Sequence, residues 1–214
     1  MNCASCRKIS CITGSPDHPR DCPMVTSKAV YEEARRIYEE DEEARRIAVN
    51  AAIIEASGYM QWPRLKDTIE FARLMGYKRL GVAFCIGLQS EAEAVSRILR
   101  EHGFEVVTIM CKTGGFLKKD IGVPEEYSGL SKTGYFIGDV ACNPVAQALY
   151  LNEQKTDLNI IVGLCVGHDA VFTKFSDAPV TTLIAKDRVL SHNPAGALYT
   201  AYWNAYWAKS CWEK

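Results

Sequence analysis

The stretch Arg79-Leu80-Gly81-Val82-Ala83-Phe84-Cys85 decides the fold. Its apolar run is short, bounded by a cation on one side and a cysteine on the other, which is the pattern of a buried strand. Downstream, Ser90 and Glu93 stand at the spacing of a capping box, and the helix they open is expected to run to Gly103. Strand followed by helix is a βα unit.

The same pattern recurs along the chain. Glu105 to Met110 reads as a strand ending at Cys111, Tyr135 to Gly138 as one leading to Cys142, Asn159 to Leu164 as one ending at Cys165, and Val180 to Ala185 as one preceding His192. Strands alternating with helices predict an α/β fold of three layers, a mainly parallel sheet with flanking helices. Asn143-Pro144 and His192-Asn193-Pro194 are both good helix openings, and each leads to an Ala-Leu-Tyr, at 148–150 and 197–199. The terminal helix would carry Tyr199, Tyr202, Trp203, Tyr206, Trp207 and Trp212, an aromatic face suited to core packing or a dimer contact.

Upstream of the deciding stretch, a helix is expected to start at Pro63 and to pass through Leu65, Ile69, Ala72 and Met75 to Gly76. Residues 26–57 are rich in Glu, Ala, Arg and Ile, and Glu-Glu-Ala-Arg-Arg-Ile occurs at 32–37 and again at 42–47. These are read as the charged outer faces of one bent helix or two consecutive ones, part of a helical lead-in over about 26–76. Residues 1–24 hold four cysteines, three prolines and almost no large apolar side chain. That segment cannot bury a core of its own. The expected organisation is a small Cys-rich module over 1–24 and a single α/β domain over 25–214.

Composition narrows the partners. Lys and Arg number 25 against 26 for Asp and Glu, so no long-range field draws the chain to nucleic acid or to an anionic membrane. No apolar run reaches bilayer length and the first residues lack signal-peptide character, which predicts a cytoplasmic protein. Nine cysteines, an odd count in a reducing compartment, point to metal binding or thiol chemistry before disulfides. No phosphate loop or dinucleotide fingerprint is present.

Cys3-x2-Cys6-x4-Cys11-x10-Cys22 sets soft ligands at close spacing, the first pair at the spacing of two thiolates on one ion. A structural Zn2+ on Cys3, Cys6, Cys11 and Cys22 is the favoured reading, with His18 as a substitute ligand. An iron–sulfur cluster is the alternative, although neither ferredoxin spacing occurs.

The inner cysteines carry a second expectation. Cys85, Cys111 and Cys165 end strand-like runs, Cys142 precedes a helix, and parallel strands deliver their carboxyl ends to one edge, where open α/β sheets bind ligands. Cys85, Cys142 and Cys165, with Cys111 in reserve, are therefore candidate ligands for an iron–sulfur cluster or a second metal. Cys142, His168, Asp169, Lys186 and His192 are the candidate catalytic residues. Cys142 is the reactive thiolate, favoured by a helix start and by edge lysines at 112, 118, 119 and 186. His168 would act as a general base oriented by Asp169. The plain alternative is that each inner cysteine is a small core residue and that His192 only pins a loop.

Cys-x2-Cys-x4-Cys with Cys22-Pro23, Cys142-Asn143-Pro144, Gly163-Leu164-Cys165-x2-His168-Asp169 and Lys186-Asp187-Arg188-x3-His192-Asn193-Pro194 together resemble an uncharacterised prokaryotic domain-of-unknown-function family of cysteine-rich metal-binding proteins. The resemblance implies a metal and no particular reaction. The function expected is metal binding at both cysteine groups, with an iron–sulfur-dependent or sulfur-handling enzyme at the inner one and a small anionic or sulfur-containing substrate. Non-catalytic metal sensing, storage or trafficking, or an interaction module with structural zinc alone, are the rivals. A homo-oligomer is compatible with each.

Overall fold

The computed structural model describes residues 3–131 and 133–200, and the chain divides into two compact units, Met1–Gln61 and Trp62–Lys214. The aromatic face expected on a terminal helix falls, from Tyr202 onward, outside the described residues. Among the described residues no helix is long and apolar enough to cross a membrane.

The first unit is helical. A 3-10 turn over Cys3–Ser5 is followed by short helices α1 (Ser10–Thr13) and α2 (Pro23–Thr26), then by α3 (Lys28–Glu40) and α4 (Glu42–Gly58). The charged lead-in forms two helices because Asp41 adopts an extended conformation, and its carboxylate then caps α4 by accepting from the Ala44 N–H at 2.9 Å. Arg36 bridges Glu33 and Glu40 across the exposed face of α3, which accounts for the charge pattern of the first hexapeptide copy.

The second unit contains α5 (Arg64–Leu74), β1 (Arg79–Phe84), α6 (Gln89–Glu101), β2 (Glu105–Met110), α7 (Pro144–Glu153), β3 (Leu158–Val162), α8 (His168–Phe175) and β4 (Val180–Ile184). Its strands lie in the order β2-β1-β3-β4 and every pairing is parallel. The central strands are buried most deeply: Leu80, Val82 and Ala83 of β1 and Ile160 and Val162 of β3 are fully covered. Gly81 faces α7, with Leu151 too close to admit a Cβ, whereas Phe84, on the alternate face, borders α6 beside Ala92 and Ser96. Helices thus cover both faces, the three-layer arrangement.

Two local expectations are corrected. Tyr135 to Gly138 is a loop with an isolated antiparallel bridge between Leu130 and Phe136, because Gly134 and Gly138 both take positive φ and leave too short a run between them for a strand. Nor do Ser90 and Glu93 cap α6: a 3-10 turn over Ile86–Leu88 runs straight into the helix, whose N-cap position is Leu88. Likewise Asn193-Pro194 opens a 3-10 helix over Pro194–Leu198.

The strand order reverses direction between β1 and β3. The chain leaves β1 toward β2 on one side and returns to β3 on the other, so the loops beyond these strands part and open a crevice at the carboxyl edge.

Candidate thiol and metal site

Each inner cysteine reaches that crevice by a separate backbone device. Cys85 follows β1 and donates its N–H to Val162 O at 3.2 Å, while Cys111 follows β2 and donates to Phe84 O at 2.9 Å. Cys142 arrives from a loop, held beside Cys111 because the Asn143 N–H donates to Cys111 O at 2.7 Å. Asn143 then caps α7, its Oδ1 accepting from the Ala146 N–H. Cys165 ends the turn after β3, and its carbonyl accepts from the N–H groups of His168 and Asp169 as α8 begins.

The sulfurs form a connected row. Cys142 Sγ is 3.7 Å from Cys111 Sγ, and Cys85 lies near enough to Cys111 and Cys165 for both to shift its proton affinity. Cys111 and Cys85 are buried, at 2% and 6% exposure, so the middle of the row is dry and its two ends are half-exposed. Polar groups flank the row: Lys186 Nζ donates to Cys85 Sγ at 2.8 Å, Arg188 Nη2 to Cys165 Sγ at 2.9 Å, and the Ile86 N–H to Cys111 Sγ at 3.4 Å. His168 lies near enough to Cys142 for each to shift the other's proton affinity.

These contacts sort the protons. The Cys142 thiol is lowered to about 4, first by Cys111 beside it and then by His168, with burial opposing and Lys112 assisting. Cys85 is also held well below the ordinary thiol range, by Cys111, then Cys165, and by Lys186. Cys111 is pushed up by its neighbours Cys142 and Cys85 and by burial; Cys165 is pushed up by Cys85 and by burial. The His168 imidazole is raised by the Cys142 thiolate beside it. Lowered and raised thiols thus adjoin along the row, as expected where a buried anion is stabilised by a neighbouring donor.

The other expected site residues take different places. Asp169 turns into its own helix, where its Oδ1 accepts from the Ala170 N–H. His192 accepts from the Asp187 N–H through Nδ1 at 3.1 Å and donates its own N–H to Asp187 O at 2.9 Å, which closes the loop that carries Lys186 and Arg188. Lys118 donates to Tyr127 O. Two residues not singled out as candidates matter here. Arg188 follows Lys186 by two positions in the same motif, a signal that could have found it. Gln147, fully buried, donates through Nε2 to Phe84 O and Ile109 O, and so ties together the ends of the strands that deliver Cys85 and Cys111; a lone Gln in an apolar helix is the trace it leaves in the sequence.

Cys3 and Cys6 share the leading 3-10 turn, where the Cys6 N–H donates to Cys3 O at 3.1 Å; Cys22 is the N-cap residue of α2. Cys3 and Cys11 are exposed, Cys6 and Cys22 half-buried. Among the described residues no group of three or more His, Cys, Asp or Glu is arranged to hold a metal ion.

Residues 22–183 match a family described as protein of unknown function, DUF1847. The chain belongs to that family. The span matched to DUF1847 contains Cys22 and all of the edge cysteines, and stops before Lys186. An uncharacterized protein of Methanocaldococcus jannaschii is 46% identical over 203 residues, which cover 95% of this chain and 96% of the relative. No solved structure matches.

Proposed function

We propose that the carboxyl edge of the sheet is a soft-metal site, in which Cys85, Cys111, Cys142 and Cys165 bind one divalent ion. The observation that supports it most is the 3.7 Å between Cys111 Sγ and Cys142 Sγ. Two thiolates about 2.3 Å from one tetrahedral ion stand roughly 3.8 Å apart, so this pair already has the spacing of a shared ligand edge. A row closes into a cage when Cys85 and Cys165 swing over the same point, and the protons held on Cys111 and Cys165 leave as the ion enters. The half-exposed ends at Cys142 and Cys165 supply the entry path.

The N-terminal cysteines are assigned a structural Zn2+, supported by their spacing and by the turn that joins Cys3 to Cys6. A second reading of the edge rests on Cys142 alone: a half-exposed thiolate beside an imidazole suits sulfur-handling chemistry without a metal.

Anaerobic purification followed by metal and sulfide analysis separates these. The Cys85→Ser/Cys142→Ser protein is expected to lose an ion that the Cys3→Ser/Cys6→Ser protein keeps. An edge variant with the full metal complement of the parent overturns the proposal. A coloured, sulfide-containing parent replaces the single ion by an iron–sulfur cluster on the same thiols.

A further inference from the structure

Three cations stand at the thiol edge without a carboxylate against them. Lys186 donates to Cys85 Sγ, Arg188 to Cys165 Sγ, and Lys112 donates to Val140 O while its charge acts on Cys142 and His168. The carboxylates nearest in sequence are turned elsewhere: Asp187 accepts from the N–H groups of Val189 and Leu190, and Asp169 from that of Ala170. Among the described residues no ion pair includes Lys112, Lys186 or Arg188.

These cations neutralise thiolate while the row is metal-free. Once a divalent ion has gathered four thiolates, two negative charges remain against three fixed cations. The loaded edge is net positive, as is the metal-free row with its two thiolates, and Arg188 carries part of that charge to solvent. It is also pre-organised. The loop bearing Lys186 and Arg188 is closed by the His192–Asp187 bonds, and Ser191 and His192 both take positive φ to close it. At Gly87 a Cβ would stand 3.2 Å from Lys186 Nζ, so the bare backbone leaves the ammonium its place. The rim is open to solvent at Arg188 and at Val166, which is 91% exposed.

We infer that Lys186 and Arg188 form an anion clamp, and that the loaded edge takes a small anion held by these two cations beside the metal. This inference rests on the proposed metal site and gives it a ligand class. Two kinds of anion share that chemistry: one that offers a sulfur atom to the ion and one that offers only oxygen to the clamp.

The test is cobalt substitution of the full chain, titrated separately with thiosulfate and with sulfate, and followed by the Co2+ d–d bands and by calorimetry. At least one anion should bind at equal cobalt content, and Lys186→Met/Arg188→Met should weaken that binding by tenfold or more. A shift of the d–d bands with thiosulfate marks its sulfur taking the place of one cysteine on the ion; heat without a shift marks an oxyanion held by the clamp alone. A cobalt-loaded parent that ignores both anions, or a double variant that binds as tightly as the parent, overturns the clamp while the metal site stands. A chain that takes up no cobalt removes the metal site, and the clamp falls with it.

Discussion

Four cysteines crowd residues 3–22, and four others are scattered from 85 to 165. The crowded group is the one that looks like a site on paper, yet it is the scattered group in which two sulfurs, those of Cys111 and Cys142, touch. Cys3 and Cys11 lie exposed on short turns, whereas Cys85, Cys111, Cys142 and Cys165 stand in one row with two of their number buried. Closeness in the chain gives ligands a short loop to close; a parallel sheet gives them a common edge and a rigid frame. The second is the stronger constraint, because the strands that carry the thiols are held by the core whether or not an ion is present. The N-terminal group has little apolar surface of its own, so an ion bound there would contribute directly to its folding.

The largest way to break this contrast is to spoil the frame. Gly163 follows β3 at φ +71°, and a Cβ there would lie 2.6 Å from the side chain of Leu88, which is fully buried. Gly163→Ala therefore adds backbone strain to overpacking just before Cys165, at a cost of about 2–4 kcal/mol. Urea unfolding followed by circular dichroism reads the loss. Metal analysis should then find the edge impaired and the N-terminal ion retained. A midpoint within error of the parent means that the row does not depend on this junction.

A smaller effect separates the regions by pH. At neutral pH the unfolded chain keeps protons on all the edge thiols, while the folded edge has given up those of Cys85 and Cys142 and kept those of Cys111 and Cys165. Unfolding takes up protons, so the stability of the metal-free, reduced protein rises with pH. The Cys142 contribution is complete above the ordinary thiol range near ~8.5 and is lost as pH falls toward its folded value of about 4. Above that range the raised thiols reverse the trend, because the folded state then holds more protons than the unfolded one. His168, held above its ordinary value, adds stability below about pH 6.5 that disappears as pH rises, and so blunts the slope. With the row's ends half-exposed, the expected rise from pH 6 to 8 is under ~1 kcal/mol per unit. A urea midpoint that is flat or falling over that interval contradicts the proton arrangement.

The sheet was legible because its strands are short apolar runs with clear stops, and the meeting of Cys85, Cys111 and Cys165 follows from strand direction alone. Loops hid the rest. Tyr135 to Gly138 has strand-like residues, but its flanking glycines take it out of the sheet. Ser90 and Glu93 have the spacing of a cap but not the place, since a 3-10 turn starts α6 before them. Arg188 gains its role from a loop closure made by His192, and Gln147 from a position facing the ends of two strands. Such roles depend on the path of the chain in space, which residue patterns describe poorly where no periodicity governs them.

The finest distinction lies inside the row and is read by alkylation. Cys142 is a half-exposed thiolate and Cys111 a buried thiol 3.7 Å away, so two touching sulfurs should differ sharply toward an electrophile. In metal-free, reduced protein pulsed with iodoacetamide, Cys142 should label at nearly the same rate at pH 6 and pH 8. Its anion is already fully formed in that interval, whereas an added free-cysteine peptide quickens by roughly tenfold per unit. Cys111 should stay unlabelled in the same digest. The peptides carrying Cys3, Cys6, Cys11 and Cys22, resolved by mass, show in one spectrum whether the early label is confined to the edge. If the Cys142 rate climbs in parallel with the free peptide, Cys111 and His168 are not holding a thiolate, and the edge reverts to ordinary buried cysteines that happen to be neighbours.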